Sequence, residues 1–275
     1  MTPFTGSARH TSEWANFSFE VADGVATLTF DRPEVLNALT FEVYADLRDL
    51  LVEIPQRDDV RVLVITGQGK GFCSGGDVHD IIGELQSADA ARLLDFTRMT
   101  GAVVQRMREC PVPIIASLNG IAAGAGAVIA LAADLRVLAR SASFAFLFTK
   151  VGLAGADMGS AYLLPRLVGL GRASELLLLG DKITSEQAER LGLATLLVDD
   201  EQLVPDTKAL AKRLADGPAL AYSATKVLLT RELDMGLAEA IELEASSQAL
   251  LMKSNDHAEF YRAFTEGRDP KWTGR

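Results

Sequence analysis

The stretch PIIASLNGIAAGAGAVIALAAD, residues 113–134, constrains this chain more than any other. A β-branched run ends at Leu118, the chain turns at Asn119-Gly120, and Gly124-Ala125-Gly126 opens a wholly apolar helix. A helix with no polar face has to be buried on all sides. No Ser, Thr or Asp stands at its start to cap it. The first backbone N–H groups of a helix have no partner inside it, and that end is electropositive. Two glycines keep side chains away, so a polar group can approach the bare amides. The stretch reads as a binding floor set deep in a domain.

The rest of the chain has the means to build such a domain. Its 275 residues are 48% hydrophobic and 23% charged, an ordinary soluble globular composition with apolar mass for a sizeable core. The net charge of −10 argues against a nucleic-acid partner, which would need clustered Lys and Arg. Cys73 and Cys110 are too few for a disulfide framework and lack metal-ligand spacing, so a reduced, cytoplasmic compartment is expected and no metal. Residues 1–14 are polar, carry no signal-peptide core and read as a loosely ordered tail. The longest apolar run, residues 121–133, is too short to span a bilayer, so no membrane partner is expected.

In order along the chain, residues 17–21 and 25–30 alternate like a β-hairpin, and DRPEVLNAL feeds a helix over 40–54. A buried strand over 61–66 runs into the glycine-rich segment FCSGGDVHDII, followed by a helix over about 88–109. Short strands are expected at 135–138, 142–148 and 194–198, with helices over 158–168, 172–178 and 185–191. From Glu201 onward the pattern is helical, broken at Gly217-Pro218 and Gly236 and ended by Pro270. Strand, glycine turn and helix recur through the first two-thirds, which predicts a layered α/β core with a helical C-terminal extension. The divisions expected are a tail over 1–14, a core over 15–200 and a helical region over 201–275.

Ser74-Gly75-Gly76 and Gly124-Ala125-Gly126 each lie between a buried strand and a helix. If the two turns converge, two backbone N–H groups can grip one oxygen, which suits chemistry passing through an enolate. Separately, each is also what any tight strand-to-helix turn looks like. A dinucleotide fingerprint fails because Ile129 stands where a third Gly or Ala is needed, and no acid follows at the expected strand end. Neither turn is followed by the Lys-Ser or Lys-Thr of a P-loop. His10, His79 and His257 are scattered, and Cys73 reads as a small buried thiol rather than a nucleophile.

With both turns in place, the chain resembles the crotonase family, the enoyl-CoA hydratase/isomerase superfamily. The resemblance runs over residues 17–272 and is carried by DRPEVLNAL, VLVITGQGKGFCSGGDV, PVPIIASLNGIAAGAGAVIALAADLRV, GSAYLLPRLVGLGRASELLLLGDKITSEQAERLGLATLLV and SNDHAEFYRAFTEGR. It implies a spiral of strand-strand-helix units with a C-terminal helical oligomerisation region, assembled as a homotrimer or a dimer of trimers. It implies an acyl-CoA thioester substrate, with coenzyme A part of that substrate rather than a separate cofactor. Its oxyanion amides fall on Ser74 and Ala125. The CoA moiety would pass along Val35, Asn37 and Ala38 and over Gly75, Gly76 and Asp77, with Phe264 and Arg268 or Lys271 also at CoA-contacting positions.

The chain departs from the family's hydratases at the proton-moving positions. The glutamates that activate and protonate water in those enzymes fall here on Val128 and Phe148, neither of which moves a proton. Asp157, in LAGADMG, is the remaining candidate acid or base, and capping of a helix beginning near Met158 is the competing role. Asp77, Asp80 and Glu84, with His79, read mainly as the charged rim of a CoA channel. Asp134 reads as structural, and Arg166 and Arg172 as scaffold or subunit contacts. The expectation is an acyl-CoA-processing enzyme with Ser74 and Ala125 holding a thioester enolate and Asp157 moving the proton. Isomerisation, C–C hydrolysis, decarboxylation and ring formation are open, and so is a non-catalytic acyl-CoA-binding relative.

Overall fold

A computed structural model describes residues 10, 11 and 13–274. Ten strands form two sheets: β1 (Ser18–Ala22), β2 (Val25–Phe30), β3 (Val62–Gly67), β4 (Gly71–Cys73), β5 (Ile114–Leu118), β6 (Ile121–Ala123), β7 (Leu135–Ala139), β8 (Ser143–Ala145), β9 (Ile183–Thr184) and β10 (Leu196–Val198). Eleven α-helical segments accompany them: α1 (Phe41–Glu53), α2 (Gly83–Leu85), α3 (Ala90–Glu109), α4 (Ala125–Ala132), α5 (Ser160–Val168), α6 (Leu170–Leu179), α7 (Ser185–Arg190), α8 (Leu203–Ala215), α9 (Ala219–Arg231), α10 (Leu237–Leu251) and α11 (Asn255–Glu266).

The larger sheet has the order β1-β2-β3-β5-β7-β10 and the smaller β4-β6-β8-β9. β1 and β2 form the antiparallel hairpin, with Ala22 opposite Val25, and β9 runs antiparallel to β8. Every other strand pairing is parallel. Three times in succession the chain lays one strand in the larger sheet and the next in the smaller: β3 then β4, β5 then β6, β7 then β8. Helical structure follows each pair, so the backbone advances as a spiral. The glycine turns sit where a β4- or β6-type strand hands over to helix, and this stacking brings them side by side.

β3 and β5 are buried almost throughout, as expected of parallel strands covered on both faces. α8 covers the larger sheet along β2, β3, β5 and β7. All eight residues of α4 are buried, wedged among α3, α5, β4 and β6. Close packing makes such positions expensive to trim, about 2–5 kcal/mol for a residue like Ile129 cut to alanine.

Several elements differ from the sequence pattern. The strand expected over 142–148 stops at Ala145, and Leu147–Val151 winds into a 3-10 turn. The C-terminal region breaks a further time, between Leu251 and Asn255, where Ser254 caps α11 by accepting from the His257 N–H. The loosely ordered tail falls largely outside the described residues. Within it, the Thr11 N–H donates to the Glu53 carboxylate, and Trp14 stacks on Phe17 at 5.5 Å. Among the described residues, no helix is long and apolar enough to cross a membrane.

Candidate active site

The first glycine turn is fixed by the loop that precedes α1. The Ser74 N–H donates to the Leu36 carbonyl (2.9 Å), and the Ser74 hydroxyl to the Val35 carbonyl (3.1 Å). The Leu39 N–H donates to Gly75 O and the Asp77 N–H to Leu39 O, each at 2.8 Å. In this parallel bridge between Leu39 and Gly76, the Gly76 N–H points away from the partner strand and has no backbone acceptor among the described residues. The expectation that Ser74 supplies a free amide is therefore corrected. Its N–H is spent within the protein, and the free one lies two residues on, at Gly76, which is solvent-exposed.

The second turn ends at Gly124, whose backbone (φ 50°) provides no side-chain cap to α4. Ala125 is the first helical residue, so its N–H has no i−4 partner inside the helix. Gly75 reports how closely the turns meet. With φ +101°, it occupies backbone space that favours glycine, and a methyl group there would lie 3.1 Å from Ala123 O and 3.5 Å from Ala125 N. The two turns touch, and the amides of Gly76 and Ala125 flank that contact.

The opposite end of α4 is held by Arg136. This buried guanidinium donates to the carbonyls of Leu193 and Ala133, both at 2.6 Å, with longer contacts to Ala130 and Leu131. Burial pulls its pKa down to about 10 against the nearby Asp134, which leaves it charged at neutral pH. A cation at the helix C-terminus and bare amides at the N-terminus both follow the helix dipole.

Asp157 lies in the loop before α5, half-buried. One carboxylate oxygen accepts the Met158 N–H at 2.9 Å. Burial raises its pKa above the ordinary aspartate value, more than this hydrogen bond lowers it. The N-cap of α5 is Gly159 and no side chain caps that helix, so Asp157 is not its cap. Val128 is fully buried in α4, and Phe148 lies buried on the 3-10 turn.

Other expected CoA contacts have internal duties. Asn37 is almost fully buried: its Oδ1 accepts the Arg32 N–H, and its Nδ2 donates to the carbonyls of Gln68 and Gly71. The Asp77 carboxylate accepts the His79 and Asp80 N–H groups and pairs with Arg32 at 3.1 Å. Burial opposes that charge, yet these partners together hold its pKa below the usual value. Both side chains are latches of the turn. Val35 is exposed beside the turn and Ala38 is buried beneath it.

Phe264 is 76% exposed on α11. Arg268 pairs with Glu259 and Glu266, and the Lys271 N–H donates to Glu259. Arg268 and that N–H hold the Glu259 carboxyl down to about 2. None of these contacts reaches the two turns within one chain. Cys73 is fully buried, and desolvation pushes its thiol up to about 12, which makes it a poor nucleophile. Asp134 joins Lys226 (2.8 Å) and Arg108 (3.2 Å) behind α3, a structural role. Arg166 pairs with Asp234 and Arg172 with Glu175, both exposed. Among the described residues, no three His, Cys, Asp or Glu side chains gather as a metal site.

The Enoyl-CoA hydratase/isomerase family model matches residues 20–275. The chain belongs to that family. A 1,2-epoxyphenylacetyl-CoA isomerase of Escherichia coli K12 is 37% identical over 255 residues, 93% of this chain and 97% of the relative. A trans-2-decenoyl-[acyl-carrier-protein] isomerase of Streptococcus mutans is 33% identical over 258 residues, 94% of this chain and 97% of the relative. A solved structure from Streptomyces coelicolor A3(2), provisionally an enoyl-CoA hydratase, has TM-score 0.97 and 62% identity with full coverage of both chains. The crotonase-like spiral and membership of a family of acyl-CoA-processing lyases and isomerases are thereby established.

Proposed function

We propose that this member isomerises an acyl-CoA thioester through an enolate, with the carbonyl oxygen held by the N–H groups of Gly76 and Ala125. The observation that carries this reading is the contact of the two glycine turns with those amides left unspent. In the step proposed, the Asp157 carboxylate takes the proton from the thioester α-carbon. The C–H electron pair forms the C=C bond of the enolate, and the carbonyl π pair moves onto oxygen between the amides. Where the acyl chain carries a β,γ double bond, the enolate is a dienolate. The proton then returns from Asp157 to the γ-carbon, the double bond moves to the α,β position and the oxygen pair re-forms the carbonyl, which completes an isomerisation. Backbone donors aimed at the developing charge contribute most when they are pre-positioned and water is excluded.

Val128 and Phe148 support isomerisation over hydration, because neither side chain can activate or protonate water. The reading needs no cofactor apart from the CoA carried by the substrate. It places the protein in the cytoplasm as a homotrimer or dimer of trimers, in which Phe264 and Lys271 would meet a neighbouring subunit's CoA. Deuterium uptake at the α-carbon of phenylacetyl-CoA in deuterium oxide, followed by mass, tests the chemistry without knowledge of the natural acyl group. Wild type is expected to exchange, and Asp157→Asn to be slower by about 10²–10⁴-fold. Equal rates would remove Asp157 from the mechanism. Absence of both exchange and binding in wild type would remove the enolate reading.

A further inference from the structure

Tyr44, on the second turn of α1, is the side chain at this site whose polar atom the protein leaves unused. The residue is 3% exposed, and its ring is braced by the edge of Phe96 at 6.0 Å between centroids. Its hydroxyl makes no hydrogen bond among the described residues, and a methyl group placed on Gly76 would sit 3.8 Å from it. The ring is buried while the hydroxyl oxygen keeps a little accessible surface, so a bound group can meet it.

Its charge state is also defined. Burial first, then the neighbouring Cys73 and Asp157, raise the Tyr44 pKa well above the ordinary phenol value. The group stays an intact O–H at any working pH and can donate but not act as a base. The position beside Gly76, rather than out along the CoA channel, selects what it donates to.

We propose that Tyr44 is a third hydrogen-bond donor to the thioester carbonyl oxygen, completing the grip of the Gly76 and Ala125 amides. The assignment rests on the enolate reading above. No proton is transferred: the O–H bond stays intact while the oxygen it faces gains charge as the α-carbon proton leaves to Asp157. As a group that touches the reacting atoms, Tyr44 is a catalytic residue.

Tyr44→Phe keeps the ring and its Phe96 contact and removes only the hydroxyl. Infrared difference spectra of bound phenylacetyl-CoA, isotope-labelled at the carbonyl carbon, read the hydrogen bond without turnover. The C=O stretch is expected at higher frequency in Tyr44→Phe than in wild type, with CoA itself bound equally by both. Deuterium exchange at the α-carbon should slow roughly 10- to 100-fold, with little change in KM, because the bond strengthens as charge develops. The melting temperature should not fall, since no protein hydrogen bond is lost. An unchanged carbonyl frequency overturns the proposal, whether or not wild type exchanges. An absence of exchange in wild type with a frequency shift intact would instead overturn the enolate chemistry and leave the donor assignment standing. A carbonyl frequency and exchange rate that are unaffected by Tyr44→Phe for thioesters whose acyl chain has no oxygen beyond the carbonyl, but change for thioesters with an oxygenated acyl chain, would move Tyr44 to the acyl substituent and contradict the assignment.

Discussion

At Asp157 a half-buried carboxylate has one oxygen on the Met158 N–H and an environment that favours its protonated form. The folded protein therefore holds that proton to higher pH than the unfolded chain does. Stability falls as pH rises from the ordinary aspartate value through the raised one, the sense opposite to that of a salt-bridged carboxylate. Asp157→Asn is expected to melt above wild type at pH 7, with the gap closing towards acid, where both side chains are neutral. Calorimetry across pH checks this, and a variant destabilised equally at every pH would assign the carboxylate to structure. Catalysis has the other sign. Only the ionised form accepts a proton, so kcat/KM should climb with pH through an apparent pKa above that of a free aspartate. Tyr44 shows a different kind of concealment at the same scale. It falls among Val43, Leu47, Leu50 and Leu51, the core face of α1, and its hydroxyl takes on meaning only once Gly76 is beside it.

At the scale of elements, α4 is the piece on which both ends depend. Its amides face the first turn and its last carbonyls depend on Arg136. Arg136→Met fills similar space but leaves those carbonyls unsatisfied, at a cost of about 2–4 kcal/mol read from the urea midpoint. An unchanged midpoint would mean that water replaces the guanidinium. The apolar run and missing cap of α4 were legible in the sequence because both are local. So were the hairpin, α1 and the long α3, each with a strong period or turn signal. β4 and β6 were hidden because they are three residues long and sit inside the glycine turns. The end of the strand at Ala145 was hidden too, since Phe146 and Phe148 continue an alternating pattern while the backbone has already turned. The free amide falls at Gly76 rather than at Ser74 for a long-range reason. Which N–H stays unspent is decided by the carbonyls of Leu36 and Leu39, over 30 residues earlier in the chain. Loop-to-loop hydrogen bonds of that kind leave no periodic trace.

At the scale of the whole molecule, α9 to α11 and the turn after α10 carry Leu229, Leu237, Ile241, Leu250, Met252, Phe260 and Phe264 on exposed positions, and α10 has no buried residue. Exposed apolar side chains of this number fit the assembly proposed above, in which another chain covers them. Sedimentation is expected to give three or six copies, and Ile241→Lys with Leu250→Lys to yield smaller species with weakened acyl-CoA binding. A wild-type monomer would contradict the assembly. The assembled protein is also the right form in which to examine the central claim, that two backbone amides hold the thioester oxygen. A crystal structure with a non-reactive acyl-CoA thioether or amide analogue misses that geometry unless its carbonyl is kept, so the amide analogue is the ligand to use. The account predicts its carbonyl oxygen about 2.7–3.1 Å from both Gly76 N and Ala125 N. An oxygen bound to neither amide, or to Ser74 N after loss of the Leu36 bond, would contradict it.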